Sequence, residues 1–374
     1  MGLLRNFFIE RFRELLGAKS HTYQAPHWLD SDLLIASQVC ISSSHMIVDF
    51  HNHFYPKVYL EELAAGDSTG RHHATVRKDN LGRTIVEYSG DYNVIAGAHV
   101  DLESRLRAMK KVGIDMQVLT LTTPGVESES IEKARKLARL TNDEFGAITE
   151  KHPDEFTALA TLPMQSAADA VEEFERAVKE CGLRGAMIFS NVCGRPLDSA
   201  EFIPVFEKAV KLDVPLFIHP TTPINSTAME DYRLVPIMGF GVDTTLALLR
   251  LVFGGIFERL PDLKLVITHT GGVFPFLRGR IEAAYEAYPE CKVRLHGPPS
   301  DSLRKVWIDT VCYDTDILTS AYAFSGENKV MLGTDFPHQI SDLDRAVSRV
   351  RAMKVGEDEK GKILGENALR LLKL

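Results

Sequence analysis

Cysteine is scarce in this sequence of 374 residues and does not form a disulfide framework. The five cysteines are scattered and their number is odd. No two of them form a C-x-x-C pair. Disulfide-dependent chains occur in oxidising compartments and usually carry an even set of cysteines. We therefore expect reduced thiols and a cytoplasmic location.

Clustered basic charge is also absent. Lys and Arg number 43 against 51 Asp and Glu, which leaves a formal net charge of −8. Since nucleic-acid binding needs grouped cations to neutralise phosphates, we expect no nucleic-acid partner. No continuous apolar run approaches the roughly 18 residues of a membrane-spanning helix, so we expect no such helix.

The first 45 residues are expected to form an extension that is separate from the main domain. The segment LLRNFFIERFRELLG has apolar residues at helical spacing with Arg and Glu opposite, which predicts an amphipathic helix followed by a linker. This helix could pack on the protein or on a partner subunit, and contact with a membrane surface is less favoured. Met46 precedes the first strand directly and is an alternative initiator, in which case the extension is not native sequence.

From Met46 onward, short apolar runs alternate with segments of helical period. Such runs are typical of parallel strands covered on both faces. A doubly wound sheet also alternates in this way, but eight regular units favour a (β/α)8 TIM barrel over residues 46–374. The predicted strands cover 46–51, 116–122, 156–162, 184–190, 214–219, 264–269, 305–311 and 329–334.

One connection is much longer than the others. About 45 residues, 54–100, separate the first strand from its helix, whereas such loops usually have a few residues. Within it, ATVRKDNLGRTIVEYSG has two β-prone arms around residues 80–82, which predicts a β-hairpin. Because this loop leaves the carboxyl end of a strand, the hairpin should lie at the catalytic face of the barrel and could cover its mouth.

Five polar side chains fall at the carboxyl ends of predicted strands. They are His51 and His53 in DFHNHF, His219 in LFIHP, His269 in LVITHTGG and Asp335 in VMLGTDFPH. Each alone is more often a hydrogen-bonded structural residue, and an H-x-H pair is a weak signal. Together they would meet at one end of one barrel, which a single metal site explains best.

The residue types suit one divalent cation. Three imidazoles and a carboxylate are typical zinc ligands, and they leave room for water or substrate. His269 is then a candidate acid or base, because its ordinary pKa lies in the working range. The fourth strand ends in Ser190 and Asn191, with no Lys or Glu to bridge a second ion, so we expect one metal.

Longer motifs resemble the amidohydrolase superfamily. The similar branch contains 2-amino-3-carboxymuconate-6-semialdehyde decarboxylase and related aromatic-acid decarboxylases. The resemblance runs from Met46 almost to the carboxyl terminus. It rests on DFHNH, TLPMQ, IHP, GGIFERLPDLKLVITHTGGVFPFLRGRIE and VMLGTDFP.

The resemblance implies roles for particular residues. His51, His53, His219 and Asp335 match metal ligands, and His269 matches the histidine that acts beside the metal. Arg280 matches an arginine that reaches a substrate carboxylate across a dimer interface. A divalent ion, usually zinc and sometimes manganese, and a homodimer are implied as well.

The sequence departs from the resemblance around the substrate. Thr221, Thr222 and Pro223 stand where the semialdehyde decarboxylase has a tryptophan, and Arg83 is only near the position of a second substrate-binding arginine. His338, the pair His72 and His73, and the turn THTGG at 268–272 are further candidates for contact with substrate. The turn has an alternative role as an ordinary tight connection.

Three hypotheses follow. The first is a metal-dependent decarboxylase of a small unsaturated or aromatic carboxylic acid, with His269 and Asp335 relaying a proton and Arg280 binding a carboxylate. The second is a hydrolase or hydratase that uses the same residues on a small carbonyl compound. The third is a catalytically inactive metal-binding scaffold that retains the barrel.

Overall fold

The computed structural model describes residues 46–65, 73–229 and 231–374. Three predictions therefore lie outside the described residues: the amphipathic helix and linker of residues 1–45, the membrane contact of that segment, and the role of His72.

Eight parallel strands form a barrel, as the alternating pattern predicts. Leu159 and Leu332 interrupt the third and eighth strands, so the ladder divides into a four-stranded and a six-stranded sheet that meet at these two strands. The first strand still bonds to the eighth through Phe50 N and Leu332 O, 2.8 Å apart. The (β/α)8 barrel is thus confirmed. Its strands are Val48–His53, Met116–Thr120, Phe156–Ala158 with Ala160–Thr161, Ala186–Phe189, Leu216–His219, Leu265–Ile267, Trp307–Asp309, and Val330–Met331 with Gly333–Phe336.

A helix follows each strand on the outside of the barrel. The eight are Leu102–Val112, Ile131–Lys151, Ala167–Lys179, Ile203–Leu212, Phe240–Phe253, Phe274–Ala287, Thr315–Ser325 and Leu343–Ala352. Shorter helical segments are Lys57–Ala65, Gly97–His99, Thr227–Met229, Val235–Gly239, Ile256–Arg259, Thr268–Gly271, Pro289–Lys292, Pro299–Leu303, Glu357–Gly361, Lys362–Glu366 and Asn367–Leu372. The side chain of Asp101 accepts from the Ser104 amide at the start of the first barrel helix, and Gly113 ends that helix at φ 73°.

The barrel interior is filled by apolar side chains, so it is not a channel. Val48, Phe50, Val118 and Met331 are buried in one cluster within it. Leu371, from the last helix, belongs to the same cluster. In barrels of this kind the functional site lies at the carboxyl ends of the strands.

The long connection after the first strand contains a small antiparallel sheet. The predicted hairpin is present as Thr75–Lys78 and Thr84–Tyr88. A third strand, Asp91–Val94, follows after a turn at Gly90 (φ 78°) and pairs with the second. This third strand is too short and polar to show a strand pattern in the sequence.

One expectation about apolar segments was wrong. By length and composition, Val235–Phe253 could cross a membrane, with 19 residues and a mean hydropathy of 1.5, and half of it is buried in the protein. The sequence did not suggest this because glycines, threonines and Asp243 interrupt the apolar run while the average stays high. Half burial on the barrel is also what a core helix shows.

A buried arginine supports the first strand from behind. Arg105 donates to Asn52 Oδ1 at 2.9 Å, to Gln117 Oε1 at 2.8 Å and to Ala98 O at 3.0 Å. It also donates to the carbonyl of His53. Burial lowers the pKa of Arg105 to about 9, so the guanidinium stays charged at neutral pH.

Replacing Arg105 tests how much this buried cluster contributes to stability. Arg105→Met leaves four acceptors without a donor, so the free energy of unfolding should fall by about 3 kcal/mol. Urea denaturation measures the change. Arg107→Met is the matched control on the same helix, where the side chain is exposed, and should change stability by less than about 0.5 kcal/mol. Equal effects of the two substitutions would contradict the proposed contribution.

Candidate metal centre

Four side chains from distant parts of the chain converge at the carboxyl ends of the strands. One ligand atom each from His51, His53, His219 and Asp335 lies within 4.8 Å of the others, and all four residues are buried. His51 Nε2 and His53 Nε2 are 3.2 Å apart. Asp335 Oδ1 lies 3.0 Å from His53 Nε2 and 3.3 Å from His51 Nε2. The sequence predicted these four residues as a metal-binding group.

Hydrogen bonds to the other ring nitrogen decide how each histidine faces the centre. His51 Nδ1 donates to Asp309 Oδ2 at 2.6 Å, and His219 Nδ1 donates to the carbonyl of the next residue at 2.8 Å. His53 Nδ1 lies 3.0 Å from Thr120 Oγ1. That hydroxyl gives its own proton to a backbone carbonyl at 2.7 Å, so it accepts from His53. Every Nε2 is left with a lone pair directed inward.

This donor set fits a single divalent cation. His219 Nε2 is buried and has no hydrogen-bond partner among the described residues. Inward lone pairs on neighbouring imidazoles repel each other unless a proton or a cation lies between them. Three neutral imidazoles and a carboxylate suit zinc, and they also accept manganese.

Electrostatics show that protons compete for the same position. Burial alone would lower the pKa of His51, but the carboxylates of Asp309 and Asp335 raise it to about 10. Burial holds the pKa of His53 and of His219 well below the ordinary value. Burial would raise the pKa of Asp335, but hydrogen bonds from three histidines hold it well below its usual range. The carboxylates of Asp309 and Asp335 thus favour positive charge at this centre, which a proton or a metal cation can supply.

Asp309 is a site residue that the sequence analysis missed. Its Oδ2 accepts from His51 Nδ1 and from the His269 amide at 3.0 Å. Its Oδ1 accepts from the amides of Thr270 at 2.9 Å and Val311 at 3.0 Å. The signal was present, because Asp309 ends the seventh strand just as the predicted ligands end theirs.

His269 lies beside the four ligands in a turn that Asp309 stabilises. His269 and Thr270 have left-handed backbone angles, with φ of 53° and 57°. His269 Nε2 is 3.6 Å from Asp335 Oδ2, and its side chain is 21% exposed toward the cleft. The turn 268–272 is therefore a tight connection whose amides bind the protein's own carboxylate.

A cleft of about 480 Å³ opens above this centre. His338 lines it, as considered from the sequence, with Nε2 3.1 Å from Thr122 Oγ1 and its ring 4.8 Å from that of His53. Burial lowers the pKa of His338, which favours the neutral ring. Residues from the inserted sheet form one wall. The lining comprises 91–94, 122, 123, 219, 233, 236, 237, 240, 241, 269, 272, 273, 311, 313, 335 and 338–340.

Other candidates lie outside this cleft. Arg280 is exposed on the helix Phe274–Ala287 and is not among the described lining residues. Arg83 pairs with Asp79 inside the inserted sheet, with Nε 2.7 Å from Oδ2. His73 does not line the cleft either. Within one chain, then, none of these residues reaches the position of a substrate next to the metal-binding group.

The end of the fourth strand is occupied by hydrogen bonds of its own. Ser190 Oγ donates to Asp243 Oδ2 at 2.6 Å, and Asn191 Nδ2 donates to the same oxygen at 2.9 Å. Both side chains are thus engaged by Asp243, and the expectation of one metal stays a prediction.

The fold and the site together define a metal-binding (β/α)8 barrel. A family model described as amidohydrolase matches residues 48–374, and the chain belongs to this family. It is 35% identical over 277 residues to 2-amino-3-carboxymuconate-6-semialdehyde decarboxylase of Dictyostelium discoideum, with 73% of this chain and 77% of that protein covered. It is 30% identical to gamma-resorcylate decarboxylase of Polaromonas sp., with 73% and 87% covered.

A solved structure shares the fold closely. The structure of 5-carboxyvanillate decarboxylase from Novosphingobium aromaticivorans, complexed with manganese and 4-hydroxy-3-methoxy-5-nitrobenzoic acid, matches with a TM-score of 0.73 and 27% identity. The match covers 89% of this chain and 97% of that one. The predicted superfamily and its decarboxylase branch are confirmed.

Asp309→Asn tests the support given to His51 and to the turn at His269. The amide cannot accept all four of the hydrogen bonds that the carboxylate accepts, so His51 loses its orientation and metal affinity should fall about 10- to 100-fold. Competition with a chelating dye measures the affinity. Asp316→Asn, exposed on the following helix, is the control and should leave affinity unchanged. Equal affinities in the wild type and in Asp309→Asn would contradict this role.

A second cavity, of about 260 Å³, lies beside the cleft and contains a buried acid. This acid is Glu127, which follows the second strand in the chain and lines the cavity. Its Oε2 accepts a hydrogen bond from the Val126 amide at 2.9 Å. Burial raises the pKa of Glu127 from 4.5 to about 7. The folded state therefore binds this proton more tightly than the unfolded state does.

The titration of Glu127 predicts a pH dependence of stability. Its contribution is fully present below pH 4.5 and is lost as the pH rises to about 7, the folded-state value. The wild type should lose about 2–3 kcal/mol relative to Glu127→Gln across this window. Chemical denaturation at a series of pH values measures the difference. Glu150→Gln, exposed on a nearby helix, should follow the wild type, and parallel curves for all three proteins would disprove the assignment.

Proposed function

We propose that this protein is a metal-dependent decarboxylase of a small aromatic or unsaturated carboxylic acid. The observation that carries the proposal is the group of His51, His53, His219 and Asp335 at the floor of a cleft, with His269 beside it. The named relatives are decarboxylases of carboxylated aromatic or muconate-type compounds. A cleft of this size accommodates one such molecule.

The chain's own residues supply binding and proton transfer. A divalent cation held by the three histidines and Asp335 would supply positive charge where negative charge develops as carbon dioxide leaves. His269 Nε2 lies 3.6 Å from Asp335 Oδ2. An imidazolium at His269 would give a proton to the substrate carbon as the carboxylate leaves as carbon dioxide, and would become a neutral imidazole, so that charge and atoms balance. The inserted sheet and His338 line the cleft in which this carbon would lie.

Zinc is the ion that the donor set favours, with manganese as the alternative. Three imidazoles and one carboxylate are a common zinc set. A structural relative at 27% identity carries manganese, which supports the alternative. Elemental analysis of protein purified without added metal distinguishes the two.

A homodimer is proposed from an apolar surface next to the cleft. Met238, Val242 and Leu246, spaced by four residues, are 47%, 42% and 40% exposed on one face of their helix. On the next barrel helix, Phe276 is 88% exposed, four residues before Arg280. Since patches of this kind usually mark an interface, a second copy is the proposed occupant, and its Arg280 would then approach a cleft. The cytoplasmic location stays a prediction.

Substitution of His269 tests the assigned chemistry. His269→Ala should reduce carbon dioxide release from carboxylated phenols about 10²- to 10⁴-fold while metal content stays near that of the wild type. Labelled carbon dioxide and elemental analysis measure the two quantities. His219→Ala should instead lose metal, because one of four ligands is removed. Loss of metal in His269→Ala would show that its role is misassigned.

The same assay separates decarboxylation from the hydrolase alternative. A hydrolase would convert esters, amides or lactones without releasing carbon dioxide from any acid tested. A metal-loaded protein inactive on both classes would favour the scaffold hypothesis.

A further inference from the structure

Arg233 is the single Lys or Arg side chain among the described residues that line the cleft. It belongs to the connection between the fifth strand and the helix Phe240–Phe253. The two acidic residues of the lining, Asp91 and Asp335, lie on the inserted sheet and at the metal-binding group. A negatively charged group in the cleft but away from the metal therefore has one permanent cation to approach.

Arg233 is held in place by the third strand of the inserted sheet. Its Nη1 forms an ion pair with Asp91 Oδ1, and its Nη2 donates to the carbonyl of Tyr92 at 3.3 Å. Its guanidinium carbon lies 4.1 Å from the centre of the Tyr92 ring. The Asp91 side chain is buried, whereas that of Arg233 is 40% exposed. The guanidinium is thus ordered but open to a ligand.

Arg233 keeps donors available after these contacts. A guanidinium has five N–H groups in a planar fork; the bond to the Tyr92 carbonyl uses one of them, and the contact with Asp91 Oδ1 is an ion pair without hydrogen-bond geometry. The fork matches the geometry of a carboxylate, and stacking on Tyr92 leaves its edge accessible. Arginines of the inserted sheet are less suitable, because Arg77 and Arg83 pair with carboxylates of the same sheet.

We propose that Arg233 binds a second anionic group of the substrate, a carboxylate remote from the one that leaves at the metal. The inference rests on the proposed decarboxylase function and specifies its substrate class as a dicarboxylic acid. Arg233 is then a carboxylate-binding cation within one chain, distinct from Arg280, for which the resemblance implies a contact across a dimer interface. The structural alternative is that the pair of Arg233 and Asp91 only fastens the inserted sheet to the barrel.

Binding of two unreactive probes to the metal-loaded full chain tests this proposal. Benzoate carries one carboxylate, and benzene-1,3-dicarboxylate carries a second one at a distance. The wild type should bind the dicarboxylate at least about tenfold more tightly than benzoate, as expected of one charge-assisted contact. Arg233→Met should abolish that preference and change benzoate binding less than about twofold. Calorimetric titration measures the dissociation constants.

Further variants separate binding from fastening. Asp91→Asn releases the guanidinium from its partner, so preference for the dicarboxylate should be retained or increased. If the ion pair is only structural, Asp91→Asn and Arg233→Met should weaken both probes equally. Arg233→Lys should retain part of the preference, since the charge remains but the fork is lost. Arg278→Met, exposed on a neighbouring helix, is the matched control and should change neither constant.

The outcome also discriminates against the other arginine. Loss of the preference in Arg280→Met with retention in Arg233→Met would overturn the proposal in favour of a contact from a partner subunit. If carbon dioxide release occurs without any preference for the dicarboxylate, the proposal for Arg233 fails and the decarboxylase function stands. A preference that depends on Arg233 without carbon dioxide release from any acid would instead contradict the decarboxylase function.

Discussion

The structure depends on one electrostatic constraint, the convergence of imidazole lone pairs and a carboxylate within 4.8 Å. These groups repel one another unless a cation or a proton lies between them. The protein enforces the arrangement by assigning each Nδ1 proton to a fixed acceptor, for which Asp309 serves His51 and Thr120 serves His53. The neighbouring carboxylates also favour positive charge here, because they raise the pKa of His51 to about 10 despite its burial.

The first strand presents two of the four ligands, and buried polar contacts hold this strand in position. Arg105 is bonded to the carbonyl of His53 and to the side chain of Asn52, so the strand that presents two ligands is fixed from behind. Asp309 connects the seventh strand to His51 and to the turn of His269. A few buried, charged hydrogen bonds therefore hold the reacting groups in position, which limits their reorganisation during reaction.

The walls of the cleft come from parts of the chain outside the barrel strands. The third strand of the inserted sheet contributes Asp91 and Tyr92, and the connection after the fifth strand contributes Arg233. The metal-binding group and these walls of the cleft thus come from different segments. Substrate preference can change through the insertion and the loops, while the buried metal-binding group stays as it is.

Much of this protein could be predicted from its sequence. His51, His219 and Asp335 each stand at the end of a short apolar run, and such a run predicts a strand from local sequence alone. The parallel strands of a barrel then bring these ends together at one face. Asp309 was missed although the same reasoning applied to it. The contact between Asp91 and Arg233 could not be predicted, because it joins a short polar strand to a loop 142 residues later. The sequence by itself determined the barrel and the ligand set. Only the tertiary structure decided which arginine enters the cleft, since loop conformation depends on long-range packing rather than on local pattern.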